Sequence, residues 1–265
     1  MRVATFNLHA GIDGWGRRTS VLDHVVSLGA DILILPEIWR GDDNDDVATL
    51  ERRLGMGGAF APLASGERAC TSDGGRTWQP LLAHLTGEHG LYFDEHRALT
   101  KAQRARRASL ESTEHGQWGL ALLTRLVVEE IHVEQLDRLP REKVRRALIV
   151  ARLSDGGRPF YVAAVHGAHL SHGSYRQYRQ VSELIDSLDP HLPILLGGDF
   201  NCWRPLLRIL LPRWRSLVSA RTWPARTPHS QIDHLLVRGP WEPLGGFASD
   251  GGSDHRALVA DVRLT

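Results

Sequence analysis

The chain has 265 residues, which suits one large domain or two small ones. Its 42% hydrophobic and 24% charged residues are the composition of a soluble globular protein, and a net charge of +1 excludes a chain that attracts polyanions as a whole. No apolar run approaches the ~20 residues of a membrane span, no signal-peptide core follows Arg2, and Cys70 and Cys202 form neither a disulfide framework nor a CxxC site, so the expectation is a cytoplasmic protein with reduced thiols.

In chain order, Val3 to Phe6 reads as a strand ending at Asn7. Thr19 or Ser20 is placed to cap a helix through Val21, Leu22, Val25 and Leu28, which Gly29 stops. Ile32 to Leu35 is a short continuous apolar run, read as a buried strand with Pro36-Glu37 at its end. Residues from about 60 to 116 read as an irregular insertion in a single 1–265 domain, with a helix near 97–111. Strands return at Gly119–Thr124, Val127–Val133 and Ala147–Leu153, and Asp155-Gly156-Gly157 predicts a hairpin into Phe160–Val165. Tyr175, Tyr178, Val181, Leu184, Ile185 and Leu188 recur at helical spacing. A strand at 194–196, a short helix near 203–211, and strands at Ile232–Val237 and Ala257–Val262 complete the pattern.

Gly197-Gly198-Asp199-Phe200-Asn201 places an acid and an amide where an apolar strand ends. Two residues apart, Asp199 and Asn201 share a face if the strand continues, although Gly, Asp and Asn are also ordinary turn residues. A second regularity accompanies it: Asn7 precedes Glu37 by thirty residues, and His169 precedes Asp199 by the same distance. That is one strand–helix–strand unit, with polar groups after successive strands. Ser253-Asp254-His255 adds an adjacent acid and imidazole before the last strand, and Asp233 adds an acid entering the one before. Scattered acids without HExxH or CxxC spacing fit Mg²⁺ or Mn²⁺ better than Zn²⁺.

Six segments carry a resemblance: Thr5-Phe6-Asn7-Leu8-His9, Leu35-Pro36-Glu37, Ala168-His169-Leu170, Gly198-Asp199-Phe200-Asn201, Ile232-Asp233-His234 and Ser253-Asp254-His255. In this order they resemble the endonuclease/exonuclease/phosphatase superfamily of metal-dependent phosphoesterases. The resemblance implies an α/β fold, a four-layer α/β/β/α sandwich of two packed mixed sheets flanked by helices. It implies Glu37 as main metal ligand with Asn7 beside it and Asp254 assisting. It implies His169 on the scissile phosphate, Asp199 on the attacking water, Asn201 on the phosphate, and His255, oriented by Asp233, as general base or phosphate donor. His166 competes with His169, which is preferred because it precedes Leu170. Proton acceptance is left open between Asp199 and His255.

The chain departs from the family pattern at Pro36, where a Gln is usual, and at His9, where AP endonucleases carry an acid. The leading substrate expectation is nucleic acid cleaved by a nuclease. His9, the basic cluster with Arg104, Arg106 and Arg107, and the aromatic Trp118 and Trp203 are candidate substrate contacts. The alternatives are a phosphatase or phosphodiesterase acting on a small-molecule or lipid headgroup, and an inactive binding scaffold.

Overall fold

The computed structural model describes residues 1–12, 18–69, 91–93, 113–140, 142 and 144–265. The expected helix near 97–111, Arg104, Arg106, Arg107 and Cys70 lie outside them.

The described strands are β1 (Arg2–Thr5), β2 (Ile32–Gly41), β3 (Gly57–Ala69), β4 (Leu91–Phe93), β5 (Thr113–Thr124), β6 (Val127–Gln135), β7 (Ala147–Asp155), β8 (Arg158–His166), β9 (Ile194–Asp199), β10 (Arg215–Ser216), β11 (Asp233–Arg238), β12 (Trp241–Asp250) and β13 (Arg256–Leu264). The α-helices are α1 (Val21–Ser27), α2 (Asp46–Leu54), α3 (Tyr175–Asp186) and α4 (Arg204–Leu210). Seven strands form one sheet in the order β12-β13-β1-β2-β5-β3-β4, and six form the other in the order β10-β11-β9-β8-β7-β6. Both sheets are mixed, with parallel pairs at β1–β2 and β8–β9.

Alternation along the strands divides the core into layers. Val3, Ile32, Ile34, Leu120 and Leu122 meet Ile149, Val162, Ala164, Leu195 and Leu235 between the sheets. The opposite residues of the seven-stranded sheet, among them Ala4, Leu33 and Val259, pack under Val21, Val25, Val47 and Leu50 of α1 and α2. Those of the six-stranded sheet, including Leu148, Ala163 and Leu196, pack under Tyr178, Val181, Ile185 and Leu207 of α3 and α4. This is the expected four-layer α/β/β/α sandwich. No helix among the described residues is long and apolar enough to cross a membrane.

Local chemistry explains where the elements differ from expectation. Ser20 holds the N-cap position of α1, but its side chain caps nothing. The acidic run 42–46 starts a helix: Asp45 accepts from the Ala48 N–H at 2.9 Å and caps α2. Residues 60–69 and 113–116, read as irregular, belong to the paired strands β3 and β5. The hairpin at Gly156-Gly157 is present, both glycines having positive φ.

Candidate active site

Most of the site lies between the sheets, beyond β1, inside β2, at the ends of β8 and β9 and at the start of β11, joined by the turn before β13. Phe6 and Leu8 continue the parallel ladder by donating to the carbonyls of Ile34 and Pro36, which lays Asn7–His9 beside Glu37. Glu37 does not end its strand as expected. It is a bulge inside β2, where the register with β5 shifts between Pro36 and Ile38. The bulge changes the facing of the strand: Ile34 faces the inter-sheet core, Ile38 the helix layer, and Trp39 the inter-sheet core again. Glu37 takes φ 58° there.

His9, Ala10, Glu37 and Asn201 are the non-glycine residues with positive φ among the described residues, and all four belong to this region. A left-handed non-glycine residue costs on the order of 1–3 kcal/mol and persists only where its surroundings enforce it. Gly197 and Gly198 bring the opposite wall close. A Cβ on Gly197 would sit 2.6 Å from Ile34 Cδ1, and one on Gly198 would sit 1.8 Å from the Val165 carbonyl oxygen. Only glycine lets β9 reach Asp199 between its neighbours at this spacing.

Three side chains converge from three strands. His166 Nε2 lies 3.6 Å from Glu37 Oε1 and 3.8 Å from Asp199 Oδ2. His166 ends β8 directly opposite Asp199 in register, and Asp233 faces Asp199 from the other side. Asp233 Oδ2 is 2.8 Å from His255 Nδ1, which turns His255 Nε2 toward Asp199 Oδ2 at 3.9 Å. Asn7 bridges the halves: its amide donates to Asp199 Oδ2 at 3.0 Å and its Oδ1 accepts from the His9 N–H at 3.0 Å. Ser253 donates to the Asn7 carbonyl at 2.7 Å and pins the turn that carries Asp254 and His255.

Strand β9 ends at Asp199, so Asn201 does not continue it. Asn201 is held instead by a local turn, its N–H donating to Asp199 Oδ1 at 2.7 Å and its side-chain amide to the Gly167 carbonyl at 3.1 Å. His9 Nδ1 lies 3.5 Å from Glu37 Oε2 and 3.7 Å from Asp254 Oδ1.

The charges are strongly coupled. Burial pushes the Glu37 carboxyl up, but His9, His166 and Asn7 outweigh it and hold the group well below the usual range. Burial, reinforced by Asp233, raises Asp199 to about 7. Burial opposes the charged form of His255, yet Asp233, Asp254 and Asp199 lift it well above the ordinary histidine value. Burial and then Arg146 push His166 well below it. His9 rises to about 9 because Asp254 and Glu37 overcome its burial.

The residues present fit a divalent cation. Glu37, His166 and Asp199 offer ligand atoms within 4.8 Å of one another, as do Asp199, Asp233 and His255. Both His166 ring nitrogens and Asp233 Oδ1 are buried without a hydrogen-bond partner among the described residues. Two carboxylates and one imidazole make a donor set for a divalent cation. Asn7, expected as a ligand, has both polar ends engaged by the protein.

Burial sets two of the expected site residues apart from the others. His169 is exposed in the loop after β8, its ring 6.1 Å from that of His172, and His166 occupies the central position. Alternation would have found it, because Val162 and Ala164 face the inter-sheet core and His166 follows in phase. Trp118 is 4% exposed and packs against His166 with ring centroids 5.1 Å apart, so it supports that histidine and offers no open stacking face. Trp203, at 59% exposure, is open two residues beyond Asn201.

A family model described as the endonuclease/exonuclease/phosphatase family matches residues 4–255. Among solved structures, an endonuclease/exonuclease/phosphatase family protein from Leptotrichia buccalis aligns with TM-score 0.68 at 10% identity, covering 99% of both chains. The mannosyl-6-phosphatase of Bacteroides thetaiotaomicron aligns with TM-score 0.62 at 14% identity, again over 99% of both. D. rerio TDP2, solved in complex with a single-strand DNA product, aligns with TM-score 0.63 at 13% identity over 99% of this chain and 98% of its own. No curated protein sequence gives a significant match.

Proposed function

The chain belongs to the endonuclease/exonuclease/phosphatase family of phosphoester hydrolases, and on that premise we propose that it is a Mg²⁺- or Mn²⁺-dependent phosphodiesterase acting on nucleic acid. The observation that carries this reading is the convergence of Glu37, His166, Asp199 and the Asp233–His255 pair, from separate strands and the turn before β13, onto one polar centre. A scaffold that only binds has no need to hold a buried imidazole between the partly buried Glu37 and the buried Asp199 carboxylates.

Glu37 would hold the cation, with His166 and Asp254 at its sides. The cation, when bound, neutralises the phosphate and the departing oxygen. Asp199 faces the centre between Asn7 and Asn201, where its carboxylate orients the attacking water and accepts its proton. Asp233 fixes His255 by its Nδ1, so Nε2 is the edge presented to a phosphate oxygen. Asn201 and His255 would supply donors to the phosphate from one side, and Glu37 would hold the metal on the other.

Trp203 supports nucleic acid as the substrate class, because an exposed indole two residues from Asn201 gives a flanking base a stacking face. A panel in Mg²⁺ tests the substrate: single-stranded DNA, duplex DNA, RNA, a phosphoinositide, sphingomyelin and bis-p-nitrophenyl phosphate. Cleavage of the nucleic acids, weakened by Trp203→Ala, is the expected result. Hydrolysis of lipid or small headgroups with nucleic acids untouched replaces this reading by the alternative substrate class.

A further inference from the structure

A second polar site lies on the other face of the six-stranded sheet. Along β11 the side chains alternate: Leu235 and Val237 join the inter-sheet core, whereas Leu236 packs in the helix-side core. Asp233 therefore faces the catalytic centre, and His234 faces the opposite way, toward α4. There a cavity of about 270 Å³ opens between α4, β10 and β11.

Three guanidinium groups surround it, those of Arg204, Arg208 and Arg215, and no carboxylate belongs to its lining. None of the three has an ion pair among the described residues, although neighbouring arginines do: Arg213 and Arg238 both pair with Asp186. Arg204 donates to Ser219 Oγ and Arg215 to the Trp241 carbonyl, both neutral acceptors, and Arg204 keeps a buried Nε without a partner. Arg204 and Arg208 also stand four residues apart on one helix, where like charges repel. Three uncompensated cations around one concavity are a site built for an anion.

The walls are not those of a bare phosphate or sulfate site. Leu207, Leu211 and Leu236 give an apolar surface, and the Trp214 ring adds an aromatic one. His234 lines the same cavity although it is fully buried. Its Nε2 lies 3.0 Å from the Cys202 carbonyl oxygen, which can only accept, so Nε2 carries the ring proton. The other nitrogen, Nδ1, is then an acceptor, and it is buried with no hydrogen-bond partner among the described residues. A buried acceptor left unsatisfied is costly, and a ligand donor relieves it.

We propose that this cavity binds a small aromatic acid: its anionic group on the arginines, its ring against Trp214 and the leucines, and an N–H or O–H of the ring donating to His234 Nδ1. The volume suits a body of about ten non-hydrogen atoms. The site is separate from the phosphoesterase centre and does not depend on how that centre is read.

Titration calorimetry with 4-hydroxybenzoate tests it, against benzoate, which lacks the donor, and 4-hydroxybenzamide, which lacks the charge. Saturable binding of 4-hydroxybenzoate is expected with a dissociation constant of about 1 mM or tighter. Benzoate and 4-hydroxybenzamide should each bind about tenfold more weakly. Arg208→Glu, an exposed position whose reversal leaves the core intact, should abolish binding, and Arg208→Ala should weaken it. Glu37→Gln should leave it unchanged. The proposal is overturned if 4-hydroxybenzoate does not saturate, if the neutral amide binds as well, if Arg208→Glu binds normally, or if Glu37→Gln removes the heat.

Discussion

His255 Nδ1 and Asp233 Oδ2 stand 2.8 Å apart, both buried, and this contact decides which edge of the His255 ring meets the centre. Asp233 sits in register with Asp199, so the two strands that carry these acids also hold the histidine between them. Replacing Asp233 by Asn keeps the shape of the contact but removes the charge and the preference for one ring orientation. Asp233→Asn should lower kcat by about 10²–10⁴-fold with a smaller effect on KM, as expected of a group that orients a catalytic imidazole. A full kinetic comparison with circular dichroism as the folding control checks it; unchanged kcat would remove His255 from the chemistry.

The two histidines after β8 separate cleanly. His166 is wholly enclosed between Glu37, Asp199 and Trp118, whereas His169 is exposed. His166→Gln should cost about 10²-fold or more in kcat/KM, and His169→Gln should stay within about threefold of wild type. Equal losses in both variants, or a larger loss at His169, would return His169 to the centre.

Gly198 tests how closely the sheet is built around the site. An added methyl would meet the Val165 carbonyl oxygen, and φ is 139°, a conformation that side chains resist. Gly198→Ala should destabilise the fold by about 3 kcal/mol or more. Denaturant unfolding reads it; a loss under about 1 kcal/mol would mean that β8 and β9 give way easily.

Stability should also depend on His234. Burial, only partly offset by its contact with the Cys202 carbonyl, lowers it from 6.5 to about 4. The unfolded chain therefore binds the proton more readily between these values, and stability contributed by neutral His234 is complete above pH 6.5 and lost as pH falls toward 4. At pH 5 that loss amounts to about 2 kcal/mol relative to pH 8. Urea unfolding at both pH values should show it in wild type, and a His234→Gln variant should show a difference smaller by that amount. An equal pH dependence in the two proteins would contradict the neutral, buried imidazole.

Much of this architecture could be read from residue order, and the failures share a cause. The apolar runs at Ile32, Ala147, Phe160 and Ile194 announced strands because both faces of each are buried. β12 was not among the expected strands: it carries Pro243, Gly245 and Gly246, which are tolerated because β12 is an edge strand with a bulge at this point. α2 was hidden by its acidic run, whose Asp45 is a cap and whose Asp46 is buried against Arg68. At the site, Asp199, Asp233 and His255 stood in recognisable segments. The bulge at Glu37 did not, since it is set by pairing with β5, more than eighty residues away. His166 follows from strand phase and His169 from a short motif, and the structure buries the first and exposes the second.

Glu37 organises the proposed metal-dependent phosphodiesterase centre. The most direct test measures bis-p-nitrophenyl phosphate hydrolysis by wild type and Glu37→Gln, after EDTA and after readdition of Mg²⁺ or Mn²⁺, with melting temperature followed in the same samples. The expected result is hydrolysis lost with EDTA and restored by metal in wild type. Metal should also raise its melting temperature, and Glu37→Gln should show neither response. Hydrolysis that survives EDTA, or a Glu37→Gln variant that responds to metal like wild type, would contradict it.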